Sequence, residues 1–248
     1  MRHTDIEGGT LGELSLSRVL MNTEFGQCPF CGTAAERGQV MCTNAACGVS
    51  LAPRMLVDWE IERMLARGDL LVDPLFKLRK EKGEDNDAQL GPASLDLRLD
   101  TLFREFRTMN KSSIDLRHRQ REEELYRRIE LETESERDRC YVLHPSEFVL
   151  AQSLEYVVFP MYLSGRLDGR SSYGRYGVTV HSTAGGVDPG FRGHLTFELS
   201  NSGKMPVELH PMDRVARLSF FLTSAVREPY KGKFQLQVRV KPPVPDSI

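Results

Sequence analysis

The chain carries almost no net charge: 33 Lys and Arg stand against 35 Asp and Glu, a formal −2 over 248 residues. That balance argues against a broad basic face for nucleic acid or an anionic membrane. No apolar run approaches the roughly 18–20 residues of a membrane-spanning helix. The polar, acidic first nine residues lack the order of a secretory signal, so cytoplasmic residence is the expectation. Cysteine is scarce and unevenly spread. Four of the five lie at Cys28, Cys31, Cys42 and Cys47, while Cys140 stands beside Tyr141, Val142 and Leu143 and reads as a small core residue. Otherwise the 40% apolar and 27% charged content is that of a soluble protein, long enough for one or two domains with a substantial core.

In a reducing compartment, clustered cysteines read as metal ligands before disulfides. Cys28-Pro-Phe-Cys31 is followed by Gly32, and Cys47 by Gly48, which suits the positive φ of a tight metal knuckle. Two thiolate pairs complete the tetrahedron zinc prefers in closed structural sites. The four-residue gap between Cys42 and Cys47 is wider than the commonest spacing. Residues 1–54 thus read as an extension with a zinc-ribbon-like element. Its Arg2, Arg18, Arg37 and Arg54 are matched by Asp5, Glu7, Glu13, Glu24 and Glu36, so it lacks the basic stripe of a nucleic-acid binder.

A short amphipathic turn is expected around residues 14–21. Asp58 is placed to cap a helix with Ile61, Met64 and Leu65 on one face, stopped by Gly68. From Ser94 the period becomes two: Leu95, Leu97 and Leu99 fall on one face and polar residues on the other, a strand. Residues 117–138, dense in Arg and Glu, read as a solvated excursion without function. Strand-like runs then recur at 141–145, 148–151 and 156–163, with turns between them. Residues 92–240 therefore predict a mainly β sandwich or barrel, and residues 241–248, with three prolines, a tail.

Residues 169–221 hold the densest polar chemistry. In Leu195-Thr-Phe-Glu-Leu199, alternation puts the apolar residues on one face, and Thr196 and Glu198 on the other. Arg170, Ser171, Ser172 and Arg175 occupy a Gly-flanked turn suited to phosphate oxygens. Asp188 sits between Gly186 and Pro189-Gly190, placed to accept a sugar hydroxyl. Together these groups point to a nucleotide.

Several segments carry a close resemblance to the dCTP deaminase branch of the dUTPase-like superfamily. They are Gly169-Arg-Ser-Ser-Tyr-Gly-Arg175, His181-Ser-Thr-Ala-Gly185, Asp188-Pro-Gly-Phe-Arg-Gly193 and Thr196-Phe-Glu-Leu-Ser-Asn201. Gly91-Pro-Ala-Ser-Leu-Asp-Leu-Arg-Leu99, residues 143–151 and Tyr230-Lys-Gly-Lys-Phe-Gln-Leu-Gln237 extend the likeness across residues 55–240. It implies a distorted jelly-roll β-barrel with an N-terminal helix, in a homotrimer whose active sites form between subunits. It also implies hydrolysis of dCTP to dUTP and ammonia without catalytic metal. Glu198 would activate the water, held in place with it by Ser171 and Arg175. Arg170, Ser171 and Ser172, with Tyr230 and Lys233, would contact phosphates, Mg2+ riding on the triphosphate. Asp188 would bind the 3′ hydroxyl, Thr183 and Ala184 the water or base, and Gln237 would close over the pyrimidine. Feedback by dTTP is a further family property.

Two absences sharpen this reading. Zinc-dependent nucleobase deaminases need His-x-Glu with Pro-Cys-x-x-Cys. No His here is followed two residues later by Glu, and Gln27 precedes Cys28, so the cysteines are structural. A pure dUTPase usually has Tyr where Phe191 stands and a Gly-rich C-terminal phosphate motif, which this chain lacks. The dUTP-releasing deaminase is the first reading. The alternative is a dual enzyme that also cleaves dUTP to dUMP and pyrophosphate, since residues 181–201 look at least as much like those members. A nucleotide-binding regulator with a zinc-element partner interface is the reading of another class, and the full set of Glu198, Arg175 and Ser171 argues against it. Tyr173 and Tyr176, where the family often has Leu, and Gly186, where some members carry Arg, are departures.

Overall fold

In the computed structural model the described residues are 28, 30–34, 44, 47, 53–79, 88–107, 113–114, 122–131 and 140–241. The expected turn at 14–21, Cys42 and residues 242–248 lie outside them. The described residues are mainly β, as the sequence predicts. None of their helices is long and apolar enough to cross a membrane.

Strand β1 (Arg54–Met55) leads into helix α1 (Asp58–Arg67), then β2 (Leu71–Asp73), β3 (Leu90–Gly91) and β4 (Ser94–Phe106). The short helix α2 (Glu122–Leu125) runs directly into β5 (Tyr126–Glu130), followed by β6 (Tyr141–Leu143), β7 (Phe148–Val158) and β8 (Leu163–Gly169). The one-turn helix α3 (Ser171–Gly174), β9 (Val178–Thr179), β10 (Gly186–Val187), β11 (Arg192–Asn201), β12 (Val207–Leu209) and β13 (Arg214–Leu222) complete the order. One antiparallel sheet runs β10-β8-β13-β4-β7-β11-β9, and β6 pairs with β12 separately.

Four local expectations differ. Val57, not Asp58, precedes the first helical turn, and the cap comes from Glu60, whose Oε2 accepts the Val57 N–H at 3.1 Å. Gly68 ends the helix at φ 71°, as predicted. The excursion at 117–138 contributes a real strand: β5 pairs with β4 from Leu102↔Glu130 to Phe106↔Tyr126. The runs at 148–151 and 156–158 are one strand, β7, because Gln152, Ser153 and Glu155 are buried with partners. Cys140 is only half-buried, its thiol pushed up by burial and by Glu208.

Strand β4 crosses the centre of the sheet, pairing with β13 at one end and with β7 and β5 at the other. Leu95, Leu97 and Leu99 join the core as expected, but Ser94, Asp96 and Arg98 on the opposite face are also buried. A charge out of water needs a partner. Arg98 is 3.7 Å from the fully buried carboxylate of Glu155 on β7, which also accepts the Arg98 backbone N–H at 2.8 Å and Gln89 Nε2 at 2.9 Å. The Phe76 ring lies under the Arg98 guanidinium at 4.6 Å, and the Phe76 N–H donates to Gln89 Oε1 at 2.8 Å. The core itself runs from Phe103, Phe159, Phe197 and Phe220 to Cys28 and Phe30, so the cysteine knuckle shares the hydrophobic interior of the β domain. Phe30 meets Trp59 of α1 at 6.1 Å and lies beneath Arg54 at 5.9 Å.

Burial pushes the Glu155 carboxyl up to about 7, against the opposing pull of its hydrogen bonds and of Arg98. Unfolded, it titrates near 4.5. The folded state therefore keeps the proton to higher pH, and stability falls as pH rises from about 4.5 to about 7, then levels off. Denaturant titrations across that window are expected to record the decline. Glu155→Gln should flatten it while costing about 1–3 kcal/mol, because an amide N–H then meets a donor from Arg98 or Gln89; an undiminished slope would exonerate Glu155.

Candidate active site

Glu198 is fixed from three sides. On β11, Leu195, Phe197 and Leu199 are buried, which turns His194, Thr196 and Glu198 to the opposite face. Antiparallel pairing with β7 sets Gln152 opposite Thr196 and Leu150 opposite Glu198. The register shifts between His194 and Thr196, where the Leu195 N–H donates to Ser153 Oγ at 2.8 Å and His194 Nδ1 lies 2.9 Å from the Ser153 carbonyl. Above this face lies the loop after β9. It is tied down by the Glu198 N–H to the Val180 carbonyl, 2.8 Å, and by the Ser182 N–H to Glu198 Oε2, 2.8 Å.

Between these elements is a cavity of ≈ 260 Å³. Glu198, Thr196 and His194 line it from β11, Leu150 from β7, and Ala184, Gly186 and Val187 from the loop and β10. Phe191, Phe234, Gln237 and Lys241 close it from the turn before β11 and from the C-terminal segment. The walls are largely apolar around a few polar groups, Glu198, Gln237, His194, Thr196 and Lys241, the make-up of a small-molecule site.

The C-terminal segment docks through backbone and amide groups. The Leu236 N–H donates to the Arg192 carbonyl and the His194 N–H to the Gln237 carbonyl, each at 2.8 Å. Gln237 is 1% exposed; its Nε2 donates to Thr196 Oγ1 at 2.8 Å and to the His194 carbonyl at 3.2 Å. Its Oε1 has no hydrogen-bond partner among the described residues. Two glycines make room. At Gly193 (φ 149°) a Cβ would stand 2.9 Å from the Gln237 nitrogen, and at Gly190 (φ 82°) 2.5 Å from Pro229 Cβ. Tyr230 packs on Phe191, ring centroids 5.7 Å apart, and donates its N–H to the Pro189 carbonyl at 2.9 Å.

Of the catalytic and substrate-binding candidates, Glu198, Ala184 and Gln237 meet at this cavity. The other candidates do not line it. Ser171, Ser172 and Arg175 are exposed on and beside α3, and Thr183, Asp188 and Lys233 are exposed on loops. Arg170 turns toward β4: its Nε is 3.2 Å from Asp96 Oδ2 and its Nη1 donates to the Arg214 carbonyl at 3.0 Å. Asp96 also faces Arg214 and Arg217, each at 3.5 Å, and Tyr173 donates to Asp213 at 2.8 Å, so α3 is moored to β13. His194, Phe234 and Lys241 were not singled out. Alternation with Thr196 and Glu198 marks His194; nothing local marks Lys241.

The three described knuckle thiols, Cys28, Cys31 and Cys47, have Sγ atoms within 4.8 Å of one another. Gly32, at φ 77°, donates its N–H to the Cys28 carbonyl at 2.8 Å, the tight turn the Cys-x-x-Cys spacing predicts. Three converging thiols fit a tetrahedral thiolate site.

Gly193→Ala should lift the tail from β11, because a Cβ meets Gln237 and must adopt a disfavoured φ. Amide exchange at residues 234–237 is expected to accelerate about tenfold or more, matching a loss of 1.4 kcal/mol or more. Unchanged protection there would mean the close approach is not what holds the tail.

The model of the family described as dCTP deaminase-like matches residues 55–223. The dUMP-forming dCTP deaminase of Corynebacterium jeikeium is 40% identical over 177 residues, 71% of this chain and 86% of that protein. The protein of the same name from Halobacterium salinarum is 44% identical over 177 residues, 71% of this chain and 85% of its own. Among solved structures, the 2′-deoxycytidine 5′-triphosphate deaminase of Agrobacterium tumefaciens aligns at 20% identity with a TM-score of 0.49. That match covers 68% of this chain and about half, 48%, of the other. The family match covers most of the chain, and the relatives agree with it over nearly their whole length: this chain belongs to the dCTP deaminase-like family.

Proposed function

We propose that this protein converts dCTP and two waters into dUMP, ammonia and pyrophosphate. The supporting observation is the pairing of Glu198 with Gln237 at one apolar-walled cavity. Its ≈ 260 Å³ suits a base and sugar better than a whole triphosphate. The sequence alone placed the dUTP-releasing deaminase first. The relatives, named dUMP-forming, reverse that order.

In the first step Glu198 takes a proton from water as the oxygen adds to C4 of cytosine, then returns it to the exocyclic nitrogen, which leaves as ammonia. The free Gln237 Oε1 is an acceptor suited to that amino group. In the second step a water positioned by Asp188 attacks the α-phosphorus and releases pyrophosphate. Asp188 also accepts the 3′ hydroxyl, Thr183 and Ala184 border the base, and Arg170, Ser171, Ser172, Tyr230 and Lys233 serve the phosphates. Mg2+ bound to the triphosphate supplies charge neutralisation. The exposed positions of Ser171, Ser172 and Arg175, off their own cavity, suit a homotrimer in which α3 completes a neighbour's site. dTTP occupies the same site as an inhibitor, and the enzyme works in the cytoplasm.

Chromatography of products from dCTP with Mg2+ should show dUMP and ammonia; accumulation of dUTP alone would restore the simpler deaminase. Glu198→Gln is expected to lower ammonia release by about 10²–10⁴, and a variant at wild-type rate would remove Glu198 from the chemistry. Co-expressing Glu198→Gln with Arg175→Ala should recover activity that neither has alone, whereas an inactive mixture would place both residues in one subunit's site.

The knuckle is assigned one structural Zn2+ held by Cys28, Cys31, Cys42 and Cys47, in an extension over residues 1–54 that precedes the enzyme domain at 55–240. Elemental analysis is expected to find one zinc per chain, and Cys31→Ser to lose it and lower the melting temperature. A metal-free protein of full stability would overturn this assignment.

A further inference from the structure

Beyond Gln237 the chain does not leave the protein. Val240 is fully buried in a second apolar cluster, with Leu102 of β4, Leu125 of α2, Tyr126 of β5 and Leu150 of β7. Its backbone is held at both ends: the Val240 N–H donates to Gln152 Oε1 at 2.6 Å, and its carbonyl accepts from Arg104 Nε at 2.5 Å. Gln152 is itself buried and fixed by donating Nε2 to Asp100 Oδ2 at 2.9 Å.

These anchors follow the sheet order. Leu236 and Gln237 bond to β11, Val240 to Gln152 of β7, then to Arg104 of β4. Register makes the alignment exact in sequence terms: Gln237 holds Thr196, Val240 holds Gln152, and Thr196 and Gln152 are paired across β11 and β7. The neighbouring residues Val238 and Arg239 are exposed, so of the three residues after Gln237 only Val240 is inserted. Lys241, the next residue, stands in the cavity wall.

We infer that Val240 is a latch, and that Leu125 of α2 and Tyr126 of β5, within the charged excursion, supply part of its seat. Of the run's apolar exceptions, Leu125 and Tyr126 are buried in this cluster, while Ile129 and Leu131 pack against the main core. Gln237 by itself is held by hydrogen bonds that water can replace. The Val240 seat, which includes the cavity-lining Leu150, adds burial of an apolar side chain between Gln237 and Lys241, so both are kept at the cavity. Val240 is thus a positioning residue; it touches none of the groups assigned to the chemistry. The inference rests on the cavity being the nucleotide site for its meaning, but the latch can be measured without nucleotide.

The test compares Val240→Asp with Val238→Asp, an equally conservative probe of charge at a residue 67% exposed on the same strap. With trypsin and no nucleotide, cleavage within residues 231–241 should rise at least about tenfold in Val240→Asp, since burying a valine is worth more than that factor. The trypsin-resistant remainder should have the same mass as the one wild type gives. With dCTP, KM should rise about tenfold or more while kcat falls less. Val238→Asp should match wild type in all three. If Val240→Asp is cleaved at the wild-type rate, or Val238→Asp is cleaved equally fast, there is no latch. Should Val240→Asp fail to fold, Val240→Ser and Tyr126→Ala carry the same comparison. Fast tail cleavage in a protein whose wild type does not turn over dCTP would keep the latch and sink the functional reading instead.

Discussion

Strand β11 has to do two incompatible things, and the rest of the molecule is arranged so that it can. One face must be dry enough to hold Leu195, Phe197 and Leu199 in the core; the other must carry a carboxylate. Because side chains alternate, a slip of one residue against β7 would bury Glu198 and expose the three apolar groups. The irregularity at Leu195 does not relax this constraint but pins it. Ser153 gives its hydroxyl to one backbone amide and its carbonyl to the His194 ring, so only one alignment satisfies both. Everything assigned to the site is referenced to that alignment, from the loop resting on Glu198 to the tail resting on Thr196.

A second principle is that polar groups are buried here only in sets. Glu155 gathers Arg98 and Gln89, Asp96 gathers three arginines, and Glu60 serves both Arg54 and the helix start. Two of these sets join segments distant in sequence, β4 to β7 and α3 to β13, and the third ties β1 to the adjoining α1. Replacing one member leaves the others without water or partner, which is costlier than the loss of a surface pair. The turn at α3 thereby inherits its position from the sheet, although its own four residues bury nothing.

The sequence makes legible what is local. Alternation in β11, the glycines of residues 185–193, the turn after Cys28 and the stop at Gly68 each follow from neighbours a few residues away, and each takes its expected form. What escapes is what depends on distant partners. Nothing near Asp96 and Arg98 announces that their face of β4 is covered. Leu125 and Tyr126 look stranded in a polar run until Val240, over a hundred residues on, is seen to need them. Val57 begins a helix without a capping side chain because Glu60 reaches back to it. Cys140 seems apolar in its sequence context but sits beside Glu208 and His210. Lys241 carries no local mark, since its place is set by where the preceding residue is held.

The docked tail has a further role as a neighbour of β11. Along its first half β11 is hydrogen-bonded to β7 on one side, and on the other the tail meets it, with Gly193 and Gln237 forming a parallel bridge. Whenever the tail departs, the carbonyl of Arg192 and the N–H of His194 become an open strand edge next to Phe191 and Leu195. Such an edge is a template for another chain. The segment that shuts the cavity therefore also guards against strand-to-strand association, and the time it spends open bears on how concentrated the protein can be kept as well as on how fast it can work.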